Sequence, residues 1–287
     1  MLLFASGWMV QRGNFCLVAG VSAALDKRPD GLLLILSVAL LSGAIWMWMT
    51  VPVEYTLSGR VFWIALAGSV FSGVGAALNK GCFFGTLTRL FNGDVHMLFS
   101  LAGLLTASVV IPPVMISEVT TAIRYPVWLY LLLLLATAAG WMTLQKRDTL
   151  QAALYLLVPG LTFGVLYPST PGWSLSQLLF DCWHWFHRDT TIPGNRLIEF
   201  LMFISGMCAR RLWHGRDIFP TLKPSRMVVN FIAGWIMMAG ARLMGGGNDR
   251  LLFRALPSLT LTALLLLLIM CLSIAATLLL MRRSGHP

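Results

Sequence analysis

The sequence predicts an all-α polytopic membrane protein: one integral membrane domain, residues 1–287, with about nine transmembrane helices. Three observations predict this class. Hydrophobic residues make up 57% of the chain and charged residues only 11%, whereas soluble domains carry about 25% charged residues. The mean hydropathy is +0.78. Apolar stretches close to the roughly 20 residues that cross a bilayer recur along the whole chain.

The order of these stretches defines the predicted spans. The first is interrupted at 11–14 and lacks the basic start and small-residue end of a cleavable signal peptide. The segment 172–187 is too short to cross, so we expect a re-entrant or interfacial helix with Trp173, Trp183 and Trp185 at the headgroups. The predicted spans lie near residues 3–25, 31–51, 61–79, 95–116, 126–144, 150–167, 196–213, 227–244 and 258–281.

The basic residues predict an orientation rather than a nucleic-acid partner. The formal net charge is +10. If the predicted spans alternate in direction, the segments on the side of the C-terminus hold about twice as many lysines and arginines as the opposite side. Basic residues collect in cytoplasmic loops. We therefore expect an outside N-terminus, a cytoplasmic C-terminus, membrane lipid as the surroundings and no nucleic acid.

A short internal repeat predicts two inverted halves. Residues 75–82 align with residues 240–247, and four of the eight positions are identical. Both segments end a predicted span at a glycine cluster, and the two spans run in opposite directions. We expect inverted pseudo-symmetric halves, 1–116 and 150–281, joined by a helix near 126–144, with re-entrant or broken helices at the centre. The alternative is a chance match and a flexible glycine loop at 245–247.

The first candidate site is the segment Gln11-Arg12-Gly13-Asn14-Phe15-Cys16. Arg12 and two amide side chains inside an apolar span are costly unless they are paired or hydrated, so they mark a functional site by default. Cys16 lies about one helical turn beyond Arg12, on a similar face. The alternative is that the span begins after Asn14, which would leave Arg12 at the headgroups.

The second candidate is Cys82, within Asn79-Lys80-Gly81-Cys82-Phe83-Phe84-Gly85 between two predicted spans. Gly81 and Gly85 free the backbone, and amides at a helix start hold anions. A positive charge on Lys80 would make the thiol a better nucleophile or donor. The alternative is a lysine that reaches the interface beside an inert cysteine.

The third candidate is Arg242, which precedes the glycines that end at Gly247. Inside a span it must face a cavity, the interface or a carboxylate such as Glu199. A structural ion pair is equally consistent with the sequence.

Other chemistry is not indicated. The five cysteines form no CxxC pair or Cys/His ligand set, so we expect no metal and no other cofactor. Cys208 and Cys271 are expected to act as small hydrophobic residues. The sequence has no GxSxG, HExxH or phosphate-loop motif, so we do not expect an enzyme.

Together, the segments 11–16, 73–87 and 240–246 resemble the YeeE/YedE family of sulfur-transport membrane proteins, the thiosulfate-permease group. The resemblance implies a permease of the bacterial inner membrane, with two inverted halves around a narrow path. Cysteines along that path would contact the terminal sulfur of thiosulfate in turn. Cys16 and Cys82 would be two such stations, and a small cytoplasmic sulfur-carrier protein would be a partner.

One position departs from the family pattern. The second repeat of the family carries glycine-glycine-cysteine, and this chain has Gly247 in place of the cysteine. Thiosulfate could then pass less well, another sulfur or selenium anion could be the substrate, or Cys208 or Cys271 could compensate. Two alternatives to a permease stay open: a non-transporting subunit that docks a sulfur carrier through the basic loop 209–226, and a membrane enzyme that transfers sulfur on Cys82.

Overall fold

The predicted all-α class is confirmed. The structure is a computed structural model, and it describes residues 1–49, 59–112, 127–144, 149–169, 174, 176–187, 191–213, 223–256 and 259–284. The regular secondary structure of these residues is entirely helical, with no strand among them.

Helices before the middle of the chain are α1 (Leu2–Gly13), α2 (Leu17–Leu25), α3 (Asp30–Met49), α4 (Gly59–Leu78), α5 (Phe83–Phe91), α6 (Met97–Val110) and α7 (Val127–Leu144). Those that follow are α8 (Thr149–Ser169), α9 (Gln177–Phe186), α10 (Gly194–Leu212), α11 (Pro224–Leu243), α12 (Asn248–Arg250) and α13 (Leu261–Arg283). A π-helical turn, Leu251–Ala255, continues α12.

Every predicted span contains a helix, with two differences in detail. The first span is broken into α1 and α2, close to the predicted interruption. The short helices α5 and α12 were not predicted as separate elements, because a nine-residue or three-residue helix gives too weak a hydrophobic period to be read from sequence. The predicted short helix at 172–187 is α9, and Trp173 lies outside the described residues.

Apolar helices indicate a membrane-embedded protein. Three described helical segments are long and apolar enough to cross a bilayer: α3, the stretch Gly59–Phe91 that contains α4, its closing turn and α5, and α13. Three shorter apolar helices are Met97–Val110, Trp128–Leu144 and Ala153–Tyr167. Large apolar side chains are exposed along one side of α13 at Leu261, Leu264, Leu268 and Leu272. Such a stripe is costly in water and is expected where lipid covers the surface.

The centre of the molecule is the crossing of α4 and α11, which run antiparallel. A Cβ built on Gly75 would lie 2.5 Å from the backbone nitrogen of Met237, and one built on Gly240 would lie 2.3 Å from that of Ser72. Both distances are shorter than real Cβ contacts, so only glycine allows the two backbones to approach this closely. Small residues serve this purpose in membrane helices, where the lipid removes the hydrophobic drive for association.

The remaining helices pack around this crossing in pairs. Helix α6 packs on α11 and α13 packs on α4. Helix α1 packs on α10, α3 packs on α8, and α7 packs on the outer side of α3. Helices α1 and α8 also meet, where Ser6 Oγ donates a 2.6 Å hydrogen bond to Thr162 Oγ1. These contacts leave the two short helices α5 and α12 near the middle, in contact with each other.

The crossing predicts a steric test. Gly75→Ala and Gly240→Ala should each lower the free energy of unfolding by about 1–3 kcal/mol, because the helices must separate to admit a methyl group. Thermal unfolding of purified protein in detergent measures this. Gly140→Ala is the matched control, since its Cβ would meet only the Leu33 side chain at an ordinary 3.5 Å. Equal stability of all three variants would contradict the packing described.

Candidate functional site

The break between α1 and α2 places Cys16 at a helix start. Asn14 takes a left-handed conformation (φ 52°, ψ 52°), which asparagine tolerates better than most residues. Phe15 N donates to Val10 O at 3.3 Å, which closes the end of α1. Cys16 is extended (φ −141°, ψ 119°) and is the N-cap of α2. Its thiol therefore lies beside the first amides of a new helix.

The break between α4 and α5 places Cys82 in an equivalent position. Lys80 has φ 56° and Gly81 N donates to Ala76 O at 3.0 Å, so α4 ends in a tight left-handed turn. Cys82 (φ −70°, ψ −174°) is the N-cap of α5. Non-helical backbone buried in an apolar protein must find polar partners, and neighbouring side chains supply them here.

Asn79 is fully buried and is the main support of this turn. Its Nδ2 donates to Gly81 O at 2.9 Å and to Thr86 Oγ1 at 2.7 Å. Arg89 Nη1 donates to Asn79 O at 3.1 Å, and its other terminal nitrogen pairs with Asp94 at 2.6 Å. These bonds fix the path of the chain on both sides of Cys82.

The two breaks bring the predicted cysteines together. Cys82 Sγ lies 3.8 Å from Cys16 Sγ, and the residues are only 2% and 3% exposed. Gly85 makes this approach possible, because a Cβ there would lie 2.3 Å from Cys16 Sγ. The predicted role of Gly85 and Gly81 in shaping the segment agrees with this geometry. Cys182, Cys208 and Cys271 are half-buried free thiols and form no hydrogen bond within the described part of the chain.

Two of the predicted cations, Arg12 and Lys80, do not lie with the thiols but line cavities on the protein surface. Arg12 is exposed and lines a cavity of about 350 Å³ with Arg210 and Arg211. Lys80 is exposed and lines a second cavity, of about 430 Å³, which also holds Arg89 and Arg226. The alternative in which Lys80 reaches away from Cys82 thus describes its position better.

The second break, between α11 and α12, has the same backbone but different side chains. Gly245 has φ 70°, and Gly247 (φ −71°, ψ 176°) is the N-cap of α12. The Asp249 carboxylate, in a residue only 1% exposed, accepts 2.8 Å and 2.6 Å hydrogen bonds from Ser176 N and Ser176 Oγ. Tyr167 Oη donates to Asp249 O at 3.3 Å.

These contacts leave no room for a side chain at Gly247. A Cβ on Gly247 would lie 2.6 Å from both Ser176 Oγ and Asp249 Oδ1. The described residues therefore place a hydroxyl and a carboxylate where the resemblance led us to expect a third thiol. The sequence reasoning missed Ser176 and Asp249; extending the 75–82 repeat by two residues would have drawn attention to Asp249, as the counterpart of Phe84.

Four phenylalanines connect the two breaks. The ring of Phe84, two residues after Cys82, lies 6.1–6.2 Å from the rings of Phe163, Phe203 and Phe253. Phe163 and Phe253 are 4.5 Å apart. All four are buried, so the middle of the molecule between the thiols and Asp249 is apolar and filled.

Arg242 is fully buried on the side of the second break, but not with its suggested partner. Its Nη2 donates to Ser108 O and, at 3.3 Å, to Leu179 O, and its guanidinium lies 4.4 Å from the centre of the Phe180 ring. Glu199, which the sequence offered as one possible partner, is not among these contacts. Arg242 Nε and Nη1 have no hydrogen-bond partner among the described residues.

Comparison with known proteins does not assign the chain to a family. The chain matches no protein-family model, and no curated protein matches it either. The resemblance to the thiosulfate-permease group stays a prediction that rests on the quoted segments.

The thiol pair predicts selective cross-linking. In a variant with Cys182, Cys208 and Cys271 replaced by serine, mild oxidation with diamide should join Cys16 to Cys82, because their sulfur atoms already touch. Peptide mass mapping should find the 16–82 cross-link. Adding Cys16→Ser to that variant is the control and should remove it. Full retention of both free thiols, in protein whose Cys82 a small alkylating reagent still modifies, would contradict the pairing.

Proposed function

We propose that the chain is a nine-span inner-membrane permease built from two inverted halves, with thiosulfate or a related small sulfur-containing anion as its substrate. The N-terminus would lie outside and the C-terminus in the cytoplasm. The proposal joins the resemblance to the YeeE/YedE family with three structural observations: the register of the repeat, the pairing of the helices and the contact between the thiols.

The register of the repeat supports two related halves. A shift of 165 residues carries Gly59–Leu78 onto Pro224–Leu243, and it carries the first residue of α5 onto the first residue of α12. The same shift carries Lys80 onto Gly245 and Cys82 onto Gly247, which have nearly equal backbone angles. A chance match of small residues has no reason to reproduce helix ends and turn conformations.

The contacts at the central crossing support inversion. Gly75 approaches Met237, and Gly240 approaches Ser72. The shift of 165 converts each contact into the other, and α4 and α11 are antiparallel. This is the relation expected of a two-fold axis lying in the membrane plane.

The wider packing agrees with the same exchange. If α1 is paired with α8, α3 with α10, α4 with α11 and α6 with α13, then each main contact among these eight helices has a counterpart. Thus α1 on α10 corresponds to α8 on α3, and α6 on α11 corresponds to α13 on α4. Helix α7 has no counterpart, as expected for the joining helix.

The thiol pair carries the functional proposal. Two thiols at the starts of two short helices offer weak S–H donors and nearby amides, which suit a soft sulfur atom that carries partial negative charge. Weak contacts suit conduction, since a transported anion must also leave. The thiols touch each other in this structure, so a passing anion would separate them by rotation of the side chains or by movement of α5.

The second break bears on which anion passes. An ionised Asp249 would repel a dianion more than a monoanion. The proposed path therefore favours sulfur species that carry less negative charge than thiosulfate, or thiosulfate at a lower rate than in a path with three thiols. The alternative, a subunit that docks a carrier through 209–226, gains no support, because 214–222 lie outside the described residues.

Uptake tests the proposal. In cells without other sulfur importers, Cys82→Ala should lower the initial rate of radiolabelled thiosulfate uptake at least about tenfold, the effect of about 1.4 kcal/mol on the limiting barrier. Cys271→Ala is the control, because that thiol on α13 forms no hydrogen bond with the pair among the described residues, and it should transport normally at equal expression. Sulfite, offered separately at a mildly acidic pH at which it is mainly the singly charged hydrogensulfite ion, tests the expected preference for lower charge. Normal uptake by the Cys82→Ala protein would remove the role of the thiols.

A further inference from the structure

Asp249, in the second break, is a buried carboxyl group without a counter-charge. The residue is only 1% exposed. Its carboxylate accepts hydrogen bonds from Ser176 N at 2.8 Å and from Ser176 Oγ at 2.6 Å, and it forms no ion pair with a described residue. Burial of an unpaired carboxylate costs free energy, because water no longer solvates the charge. A bound proton removes that cost.

The other titratable groups around the second break leave this carboxylate unpaired. On α12, Arg250 Nη1 donates to Gly245 O at 2.7 Å. On α8, Tyr167 Oη donates to the main-chain oxygen of Asp249 rather than to its carboxylate. The titratable residues described at the nearby parts of α5, α9 and α11 form no hydrogen bond or ion pair with it either; they are Cys82, Arg89, Asp181, Cys182, His184 and Arg242.

A chain of hydroxyl groups connects Asp249 to the start of α9. Ser176 Oγ lies 2.6 Å from Asp249 Oδ1 and 3.3 Å from Ser174 Oγ, and both serines are buried. When Asp249 is ionised, Ser176 Oγ donates to it. When Asp249 is protonated, it donates to Ser176 Oγ, which then donates to Ser174 Oγ. The carboxyl group keeps its hydrogen bonds in both states, so a proton can bind and leave without rearrangement.

The surroundings of Asp249 suit a proton and not a metal cation. Calcium and magnesium ions take about six or more oxygen ligands. Here one of the two groups that bond the carboxylate is the Ser176 N–H, which repels a cation. The cavity beside the turn, lined in part by Gly246 and Gly247, has a volume of only about 10 Å³, which is barely the space of one water molecule.

We propose that Asp249 is a proton-binding site and that one proton crosses the membrane with each transported anion. The coupling to transport rests on the proposed function, whereas the binding of a proton to Asp249 does not. Neutral Asp249 no longer repels a dianion. An anion and a proton together also carry one negative charge less than the anion alone.

The hydroxyl chain gives the proton its route. A proton that arrives at Ser174 Oγ displaces the proton of that hydroxyl group onto Ser176 Oγ, and Ser176 passes its own proton to Asp249 Oδ1. Each hydroxyl group gains one proton and loses one, and the carboxylate gains one. In the proposed orientation the start of α9 is on the outer side, so the proton enters from outside. It leaves Asp249 Oδ1 for the cytoplasmic side when the anion is released there.

Accumulation of radiolabelled thiosulfate in right-side-out membrane vesicles tests the coupling. The external pH stays constant, and valinomycin with equal potassium concentrations sets the membrane potential to zero. Making the interior about one pH unit more alkaline should raise the steady-state accumulation about tenfold, because one proton per anion supplies about 1.4 kcal/mol. In Asp249→Asn the gradient should have no effect. The amide keeps the shape and the donor of a protonated carboxyl group but cannot release a proton.

Two further variants separate the carboxyl group from its surroundings. Asp30→Asn removes a carboxylate in the first turn of α3 and is the matched control, which should respond to the gradient like the natural chain. Ser176→Ala interrupts the hydroxyl chain but keeps Asp249. It should slow the approach to the steady state several-fold and leave the final accumulation unchanged, because a relay affects the rate and not the equilibrium. The unfolding temperature of each variant checks its folding.

Infrared difference spectra of the purified full-length protein follow the proton without any transport. Acidification should produce the carbonyl band of a protonated carboxyl group, and part of that band should be absent in Asp249→Asn. Asp30→Asn serves again as the control for loss of a carboxyl group elsewhere.

The outcomes distinguish the proton site from the permease. An equal response to the gradient in the natural chain and in folded Asp249→Asn would overturn the coupling, and so would a natural chain that accumulates thiosulfate without any response. If the natural chain takes up no thiosulfate, the permease is rejected and the infrared comparison decides the proton site. A band lost in Asp249→Asn would keep that site, and identical spectra would overturn it.

Discussion

Backbone that leaves the helical path inside an apolar protein must satisfy its own polar groups, and this constraint governs the centre of the molecule. At the first turn, the side chains of Asn79, Thr86 and Arg89 donate hydrogen bonds to carbonyls of the turn between α4 and α5. At the second turn, Arg250 Nη1 donates to Gly245 O at 2.7 Å. Because these side chains hold each turn in one conformation, the residue that follows the turn, Cys82 or Gly247, takes a defined position at a helix start.

The two turns differ in the side chain at the helix start that follows them. The first presents a thiol to a second thiol, with Gly85 leaving space for it. The second presents no side chain at Gly247 and closes around the carboxylate of Asp249, held by Ser176. The two turns thus share one backbone conformation but place different groups on the proposed path, thiols at the first and a carboxyl group at the second. Such a path would discriminate between small anions both by their charge and by the polarisability of the atom that meets the thiols. The phenylalanine rings fill the space between the two turns, so a species on the proposed path would have to displace them.

Much of the fold was predictable because it depends on composition and periodicity. Long apolar stretches predicted the helices to within a few residues, and the 75–82 repeat pointed to the helix pair that crosses at Gly75 and Gly240. The meeting of Cys16 and Cys82 followed from the resemblance, since no local pattern links residues 66 positions apart. The partners of Arg242 were not predictable, because they are backbone carbonyls and an aromatic ring rather than the suggested carboxylate. No sequence pattern indicates a contact of an arginine with a distant backbone carbonyl. Asp249 was overlooked because an Asn-Asp pair after glycines is typical of an ordinary loop.

The most direct measurement of the central claim is protection of Cys82 by substrate. Membrane vesicles that contain the protein would be treated with a small methanethiosulfonate reagent, with and without thiosulfate, and modification of each cysteine would be followed by peptide mass spectrometry. If the thiol pair lines the path of a sulfur anion, thiosulfate slows modification of Cys82 and Cys16 and leaves Cys271 unaffected. Equal rates of Cys82 modification with and without thiosulfate and sulfite would contradict the account.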